Sequence, residues 1–286
     1  MTTVTTITGL KAAVAELKTE GRTIGFVPTM GYLHKGHLSL VRESRKSADV
    51  TVVSIFVNPL QFGAQEDLRQ YPRNPERDAA LLDKEGVDIL FLPENREMYP
   101  EGYRTSIEVA GLEAKLCGRS RPGHFKGVAT VVLKLFNIVR PDYAFFGQKD
   151  AQQVVILRRM VEDLNADVEI RVMPIIRDPD GLAMSSRNAY LSADERRAAL
   201  VLSKSLEEAR RMFENGERAA GPIRERLSSA IAAESLARID YVEIVDPSSL
   251  EPVERIDGEA LVALAVYIGK TRLIDNEILG STRNKK

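Results

Sequence analysis

Short apolar runs alternate with amphipathic stretches along the first 176 residues of the chain. The apolar runs are rich in Val, Ile and Phe, a composition typical of strands buried on both faces. Between them, apolar residues recur at the spacing of a helix with one buried side. The strands are predicted at residues 23–27, 50–57, 87–92, 143–146 and 168–175, and the helices at 36–47, 75–85, 128–139 and 150–163.

This alternation predicts the fold class of the first part of the chain. Strands separated by helices form a parallel sheet, because each helix returns the chain to the edge from which the next strand starts. We therefore expect an α/β fold, a Rossmann-like doubly wound parallel sheet, over residues 1–176. Residues 94–126 interrupt the pattern with several Gly and Pro residues and are expected to form an insertion of loops and short elements.

The pattern changes after Ile176. The sequence Ser192-x-x-Glu195 is a capping box that begins a long amphipathic helix ending near residue 214, and Pro222 lies in the first turn of a second helix. We predict a smaller C-terminal domain of helices plus an antiparallel sheet over residues 177–286, acting as a lid. Its three strands are predicted at residues 240–245, 260–267 and 272–277.

Composition limits the functional classes. Hydrophobic residues make up 44% of the 286 residues, and the formal net charge of −1 argues against binding nucleic acid or an anionic membrane through bulk charge. The longest apolar run, residues 260–268, is shorter than the roughly 20 residues that cross a bilayer. No secretory signal is visible, and Cys117 is the single cysteine, so we expect a cytoplasmic protein without internal disulfides.

Two of the three histidines lie close together. His34 and His37 follow the first predicted strand, at a helix N-terminus, where unpaired backbone N–H groups favour an anion. The pair is interpreted either as two N–H donors aimed at a phosphate or as ordinary capping or surface histidines. A zinc site is disfavoured, because metalloprotease helices use a His-Glu-x-x-His pattern that is absent here.

Three further polar loops follow predicted strands, at residues 58–62, 146–153 and 177–188. Because the carboxyl ends of parallel strands meet at one edge of the sheet, all four loops would surround one crevice. Their imidazole, lysine, arginine, hydroxyl and amide groups suit a triphosphate and a small polar acid. The sequence contains neither a Gly-x-x-x-x-Gly-Lys-[Ser/Thr] loop nor a Gly-x-Gly-x-x-Gly motif after the first strand, which weakens kinase and dehydrogenase interpretations.

Six motifs carry a family resemblance. They are PTMGYLHKGH at residues 28–37, FVNPLQF at 56–62, RPGHF at 121–125, FGQKD at 146–150 followed by Gln153, MSSRN at 184–188 and TRLIDN at 271–276. Together and in this order they resemble the pantothenate synthetase (pantoate–β-alanine ligase) family over about residues 1–280. The first and fifth motifs are also similar to the signature regions of class I aminoacyl-tRNA synthetases and related nucleotidylyltransferases.

The resemblance implies a two-step ligation. ATP and pantoate would form pantoyl adenylate and pyrophosphate, and the amine of β-alanine would then displace AMP to give pantothenate, a precursor of coenzyme A. The resemblance also implies Mg²⁺ accompanying ATP, a homodimer and a cytoplasmic location, with no nucleic acid or membrane as partner.

Residue roles follow from the same resemblance. It implies that His37, His34 and Lys149 are catalytic, with His37 as proton donor. It also implies that Gln61 and Gln153 hold pantoate and that Gln61 lies near β-alanine. ATP would be bound by Met30, Gly31, Tyr32, Leu33, His34, Lys35, Gly36, His37, Gly147, Gln148, Lys149, Asp150, Ile176, Met184, Ser185, Ser186 and Arg187.

The chemistry agrees with these roles and leaves two rivals. The carboxylate of pantoate is ionised at pH 7, so its attack on phosphorus needs hydrogen-bond donors and no general base. Asp78 is a candidate Mg²⁺ contact. One rival is a nucleotidylyltransferase that stops after nucleotide transfer, against which Gln61 and Gln153 argue; the other is a nucleotide-binding module without catalysis.

Overall fold

A six-stranded sheet forms the centre of the first part of the molecule. The computed structural model describes residues 1–64 and 66–280. The strands are β1 (Thr2–Val4), β2 (Ile24–Thr29), β3 (Val50–Ile55), β4 (Ile89–Phe91), β5 (Tyr143–Gly147) and β6 (Glu169–Met173). Their order is β1-β4-β3-β2-β5-β6, and every pairing within this sheet is parallel. The prediction of a doubly wound parallel sheet is confirmed.

Helices cover both faces of this sheet. Phe26 and Val27 are adjacent in β2 and both fully buried, but they belong to different apolar clusters, because successive strand residues point to opposite faces. Leu10 and Ile156 pack on the Phe26 side and Leu82 on the Val27 side. The helices are α1 (Ile7–Thr19), α2 (Lys35–Ser47), α3 (Pro75–Lys84), α4 (Asn95–Met98), α5 (Leu116–Ser120), α6 (His124–Val139) and α7 (Ala151–Asp163).

The remaining described residues form two helices and an antiparallel sheet. They are α8 (Ala193–Glu214), α9 (Ala220–Ala232), β7 (Ala237–Val245), β8 (Ala260–Ile268) and β9 (Thr271–Leu279), with strand order β7-β8-β9. Helix α8 begins at the predicted capping box, in which Ser192 and Glu195 exchange side-chain to backbone hydrogen bonds of 3.2 and 2.8 Å.

The antiparallel sheet is buried on both faces. Leu264 and Val266 of β8 belong to the apolar cluster shared with α8 and α9. Ala263 and Ala265 of the same strand belong to the cluster that contains the core of the first sheet. The C-terminal part therefore shares a core with the first part. The division at residue 176 stays a prediction, and residues 281–286 of the predicted domain lie outside the described residues.

Two elements near the N-terminus were not predicted from the pattern. Strand β1 has three residues and pairs with β4, placing Thr2 opposite Ile89. Helix α1 follows it and is capped by Thr6, whose hydroxyl accepts a hydrogen bond from the N–H of Gly9 at 3.2 Å. The five strands predicted for this part of the chain are present, and β1 is a sixth that the pattern did not reveal. Among the described residues, no helix combines the length and apolarity needed to span a membrane.

Candidate active site

The four predicted loops meet at the carboxyl edge of the parallel sheet, around a cavity of about 230 Å³. A larger cavity of about 1480 Å³ adjoins it and shares Lys149, Gln153 and Arg187. Of the residues predicted from the sequence, the smaller cavity is lined by Met30, His34, Gly36, His37, Gln61, Gly147, Lys149, Asp150, Gln153, Ile176, Met184, Ser185, Ser186 and Arg187. The predicted residues Gly31, Tyr32, Leu33, Lys35 and Gln148 lie in the same loops but do not line it.

The first loop ends in a capping box built from the two histidines. His34 is the N-cap of α2, and its Nδ1 accepts a hydrogen bond from the N–H of Gly36 at 3.2 Å. The Nδ1 of His37 accepts one from the N–H of His34 at 3.3 Å, and the ring centroids lie 4.0 Å apart. A Cβ at Gly36 would lie 2.9 Å from the His34 ring, so this position requires glycine.

These hydrogen bonds determine where each ring carries its proton. A nitrogen that accepts a hydrogen bond has no proton, so the neutral rings of His34 and His37 are protonated on Nε2. Burial, followed by the charge of Lys149, lowers the pKa of His34 to about 4. Burial, followed by the close approach of the His34 ring and the charge of Lys149, holds the pKa of His37 well below its usual value. Both rings are therefore neutral at pH 7, capping the helix through Nδ1 and carrying an N–H donor at Nε2.

Asp78 shapes the same loop from behind. Its side chain is buried, and its two oxygens accept the backbone N–H groups of Tyr32 at 2.6 Å and Leu33 at 2.8 Å. These bonds hold Gly31 and Tyr32 at φ values of 82° and 49°, in the left-handed region. Arg77 adds an ion pair at 3.3 Å.

This geometry weighs against the expected role of Asp78 as a Mg²⁺ contact, which stays a prediction. Its oxygens are bonded to the loop backbone, and the residue does not line the cavity. Within residues 1–64 and 66–280, no group of three or more His, Cys, Asp or Glu side chains is arranged to hold a metal ion.

The loop with Lys149 is fastened by the last strand of the C-terminal sheet. Residues Gln148–Asp150 form a short 3-10 helix after β5. The side-chain amide of Asn276, in β9, donates to the carbonyl oxygens of Gln148 at 3.0 Å and Lys149 at 2.9 Å. Its own oxygen accepts from Nε2 of Gln148 at 3.1 Å. Asn276 lies in the TRLIDN motif, but sequence reasoning assigned it no role.

The loop with Arg187 is fastened by charged groups. Arg177 pairs with the buried carboxylate of Asp275 at 2.6 and 3.0 Å. The hydroxyl of Ser186 donates to the carbonyl of Tyr32 at 3.2 Å, which joins this loop to the histidine loop. Arg187 donates two hydrogen bonds, of 3.0 and 2.9 Å, to the carboxylate of Asp67, a residue that sequence reasoning did not single out.

The third histidine has a different task. Nδ1 of His124 lies 2.8 Å from the carbonyl oxygen of Gln61, and Nη1 of Arg121 lies 3.1 Å from its Nε2. The carbonyl must accept and the guanidinium must donate, so the proton of His124 is on Nδ1, the opposite tautomer from the other two. Burial and then the charge of Arg121 lower its pKa to about 4. His124 therefore holds the backbone of Gln61 in place as a neutral ring.

The two amides predicted to hold an acid face the same cavity. Gln61 ends the 3-10 helix Pro59–Gln61; its Nε2 lies 3.0 Å from the Sδ of Met30, and its oxygen accepts from Asn58 at 3.1 Å. Gln153 reaches the cavity from α7. Apolar residues of α6, among them Val131, form another part of the wall. This arrangement places amides beside an apolar surface, as a small branched acid requires.

A comparison of sequences identifies the family. The Pantoate-beta-alanine ligase family model matches residues 2–278. This chain belongs to the pantoate–β-alanine ligase family. The pantothenate synthetase of Pelotomaculum thermopropionicum is 59% identical over 275 residues, 96% of this chain and 98% of that protein. That of Pseudothermotoga lettingae is 58% identical over 280 residues, 98% and 99% of the two chains.

Solved structures of the pantoate–β-alanine ligase family agree. The pantothenate synthetase of Thermus thermophilus superposes with a TM-score of 0.93 at 47% identity, covering 97% of this chain and 99% of that one. The Francisella tularensis ligase, solved in complex with Beta-gamma ATP and β-alanine, gives a TM-score of 0.79 at 34% identity, covering 97% of each chain. The family predicted from six motifs and the fold predicted from the hydrophobic pattern are both confirmed.

Proposed function

We propose that this chain condenses pantoate with β-alanine in an ATP-dependent reaction at the cavity described above, through a pantoyl adenylate. The observation that supports this most is the convergence of four loops, which gathers two imidazole N–H donors, Lys149, two serine hydroxyls and two amides around one cavity. An anionic polyphosphate and a small acid need this set of donors at one place.

In the first step, a carboxylate oxygen of pantoate bonds to the α-phosphorus of ATP, and the bond from that phosphorus to the pyrophosphate oxygen breaks. The carboxylate is already ionised, so no proton has to be removed from it. The requirement is stabilisation of the charge on the phosphoryl oxygens. The Nε2–H groups of His34 and His37 and the ammonium of Lys149 are the groups we assign to it.

His37 acts in this scheme by donating a hydrogen bond. The resemblance implies a proton donor, but the low pKa of His37 keeps its ring neutral with one proton, on Nε2. A bound polyphosphate would raise that pKa, since a nearby negative charge favours the imidazolium. Hydrogen-bond donation by a neutral ring accordingly precedes any transfer of the proton.

In the second step, the neutral amine of β-alanine bonds to the acyl carbon of the adenylate, the bond from that carbon to the AMP oxygen breaks, and the proton lost by the amine nitrogen passes to the phosphate of the departing AMP. Gln61 and Gln153 are assigned to the pantoyl group and Gln61 also to β-alanine. The other residues predicted to bind ATP, the first of which is Met30 and the last Arg187, are assigned to the nucleotide. Water must be excluded at this stage because it would hydrolyse the adenylate.

Mg²⁺ is proposed to enter with ATP and to neutralise phosphate charge when bound. Asp150 is the one carboxylate among the described residues that line the smaller cavity. A single carboxylate suits Mg²⁺ carried mainly by phosphates and water and does not suit a protein cage. On the family resemblance, we also propose a homodimer and a cytoplasmic location.

The decisive experiment is exchange of labelled pyrophosphate into ATP, measured with and without pantoate, followed by AMP release on adding β-alanine. We expect exchange that requires pantoate and AMP release that requires β-alanine. Exchange without pantoate would indicate a nucleotidylyltransferase, and absence of any nucleotide turnover would indicate a binding module.

A further inference from the structure

Two adjacent carboxylates, Glu66 and Asp67, bridge to two guanidinium groups beside the site. Glu66 accepts from Nε and Nη2 of Arg121 at 2.7 and 2.6 Å. Asp67 accepts from Nε and Nη2 of Arg187 at 2.9 to 3.0 Å. Both pairs are bidentate, the geometry in which a guanidinium binds a carboxylate or a phosphate most strongly.

Arg187 lies between the two cavities. It lines the smaller one together with Lys149 and both histidines of the first loop, whereas Asp67 lines only the larger one. The edge of its guanidinium that could receive a phosphate, Nε and Nη2, is occupied by a carboxylate that does not line the smaller cavity. Its side chain is 27% exposed, so a partly buried charge is paired inside the molecule.

The pairing is a strong one. Burial raises the pKa of Asp67, but the hydrogen bonds and charge of Arg187 outweigh this and bring the pKa below its usual value. Asp67 is therefore a full negative charge at neutral pH. The hydroxyl of Tyr190 adds contacts to Asp67 at 3.4 Å and to the carbonyl of Gln70 at 3.1 Å. The segment 66–70 and the loop 185–190 are thus held together through the carboxylate of Asp67 and the hydroxyl of Tyr190.

We propose that Asp67 is a positioning residue that takes the place of a phosphate on Arg187 while the nucleotide is absent and is displaced from it when ATP binds. This inference rests on the proposed function, which places Arg187 on ATP. The carboxylate keeps the Arg187 loop ordered and its charge compensated. It also weakens the affinity for ATP, because the nucleotide must break an existing bidentate pair before it can make its own.

The test is a double-mutant cycle on binding of inorganic pyrophosphate and ATP, measured by calorimetry. Asp67→Asn removes the charge with little change in size, and we expect the Kd of both ligands to fall about tenfold. In an Arg187→Gln background, the same change is expected to alter neither Kd by more than about twofold. An equal fall in Kd in both backgrounds would mean that the charge of Asp67 repels the ligand from a distance and does not act through Arg187. That result would overturn the proposal.

Glu66→Gln is the matched control. It removes the same charge from the neighbouring position, but its partner is Arg121, so the pyrophosphate Kd is expected to stay within about twofold. Tightening equal to that of Asp67→Asn would also contradict the proposal, and so would an unchanged or higher Kd in Asp67→Asn.

A measurement on the unaltered chain covers the case in which a variant does not fold. Amide hydrogen exchange over residues 66–70 is expected to become at least about tenfold faster when pyrophosphate is added, because displacement frees this segment from the Arg187 loop. Unchanged or slower amide hydrogen exchange would identify the Asp67–Arg187 pair as permanent.

The outcomes also separate this proposal from the proposed function. If labelled pyrophosphate exchanges into ATP normally in the presence of pantoate but the Kd and amide-exchange results above are not obtained, Asp67 alone has been misassigned. If the unaltered chain binds neither ligand, the proposed function and this proposal fall together.

Discussion

The two nucleotide loops of this ligase are held in different ways. The histidine loop is fixed by hydrogen bonds to its own backbone, with each Nδ1 on a backbone N–H and with Asp78 on the N–H groups of Tyr32 and Leu33. The Arg187 loop is fixed by ion pairs to Asp67 and Asp275. A loop closed by its own backbone bonds is ready before a ligand arrives, whereas a guanidinium on a carboxylate can exchange that partner for a phosphate.

This difference indicates which of the two loops moves when the site closes over a ligand. The antiparallel sheet shares its core with the first sheet through Ala263 and Ala265, so a rigid movement of the whole C-terminal part would expose apolar surface. Exchange of ion pairs at the Arg187 loop requires no such exposure. We therefore expect closure to be concentrated in the Arg187 loop, a narrower version of the lid predicted for residues 177–286. Limited proteolysis with and without ATP checks this expectation: cleavage between Asp178 and Arg187 should change, and cleavage in the rest of the C-terminal part should not.

The largest effect is expected at His37, in the histidine loop, whose hydrogen bonds are already formed before a ligand arrives. His37→Asn keeps an acceptor near the position of Nδ1 and removes the Nε2–H donor, so adenylation should fall about 10²–10³-fold with little change in stability. His37→Gln places an amide N–H near the position of Nε2 and should retain more activity. Pyrophosphate exchange measures both. Near-normal turnover in His37→Asn would remove His37 from the mechanism.

Asp78→Asn tests what holds the histidine loop. An amide has one acceptor oxygen where two backbone N–H groups need acceptors, so we expect a loss of about 1–3 kcal/mol of stability and a higher KM for ATP. Urea denaturation and exchange kinetics measure these quantities. The concentration of Mg²⁺ giving half-maximal activity should not change; a large increase would restore Asp78 as a metal contact.

Asn276→Ala tests whether the last strand positions Lys149. The carbonyl oxygens of Gln148 and Lys149 lose their hydrogen-bond donor, so we expect the turn that carries Lys149 to shift and the rate of adenylation to fall about tenfold. The matched control is Lys115→Ala, which breaks another long-range contact, to the carbonyl of Ser249 at 2.7 Å, away from the loops. Equal losses in both variants would show that any weakening of the contacts between the first part of the chain and the C-terminal part has this effect.

The smallest effect concerns pH and the neutral state of His34. Its pKa is about 4 in the folded chain and near 6.5 when unfolded, so the unfolded chain binds more protons between these values. Its contribution to stability is thus complete above pH 6.5 and is lost as the pH falls toward 4. His34→Asn keeps an N-cap acceptor but does not titrate. Between pH 7.5 and 5.5 the unaltered chain should lose about 1 kcal/mol more than this variant, measured by urea denaturation.

The sequence was informative where a local pattern determines the structure. The strand and helix alternation, the Ser192 capping box and the four loops at one edge are all visible as spacings, and each is present in the structure. Strand β1 was missed because three residues carry no periodicity, and its strand character comes from pairing with β4. Helix α1, which the structure shows capped by Thr6, was missed as well.

The parts of the site that could not be predicted depend on contacts between distant positions. Asp67 and Arg187 are 120 residues apart, and Asn276 and Lys149 are 127 apart. No rule of spacing relates such positions, and an acidic residue on a loop is usually solvated. The tautomers of the three histidines were equally hidden, because each depends on which backbone group the folded chain places beside a ring nitrogen.

The position of Asn276 also has a consequence for synthesis of the protein. A ribosome completes all four loops long before it reaches β9, yet the turn that carries Lys149 is fastened by Asn276, and Arg177 is paired by its neighbour Asp275. A nascent chain that ends before residue 271 therefore has every loop of the site but lacks Asp275 and Asn276, the two side chains that hold Arg177 and the Lys149 turn in place. Ligase activity should begin only after the final strand has emerged and joined the sheet.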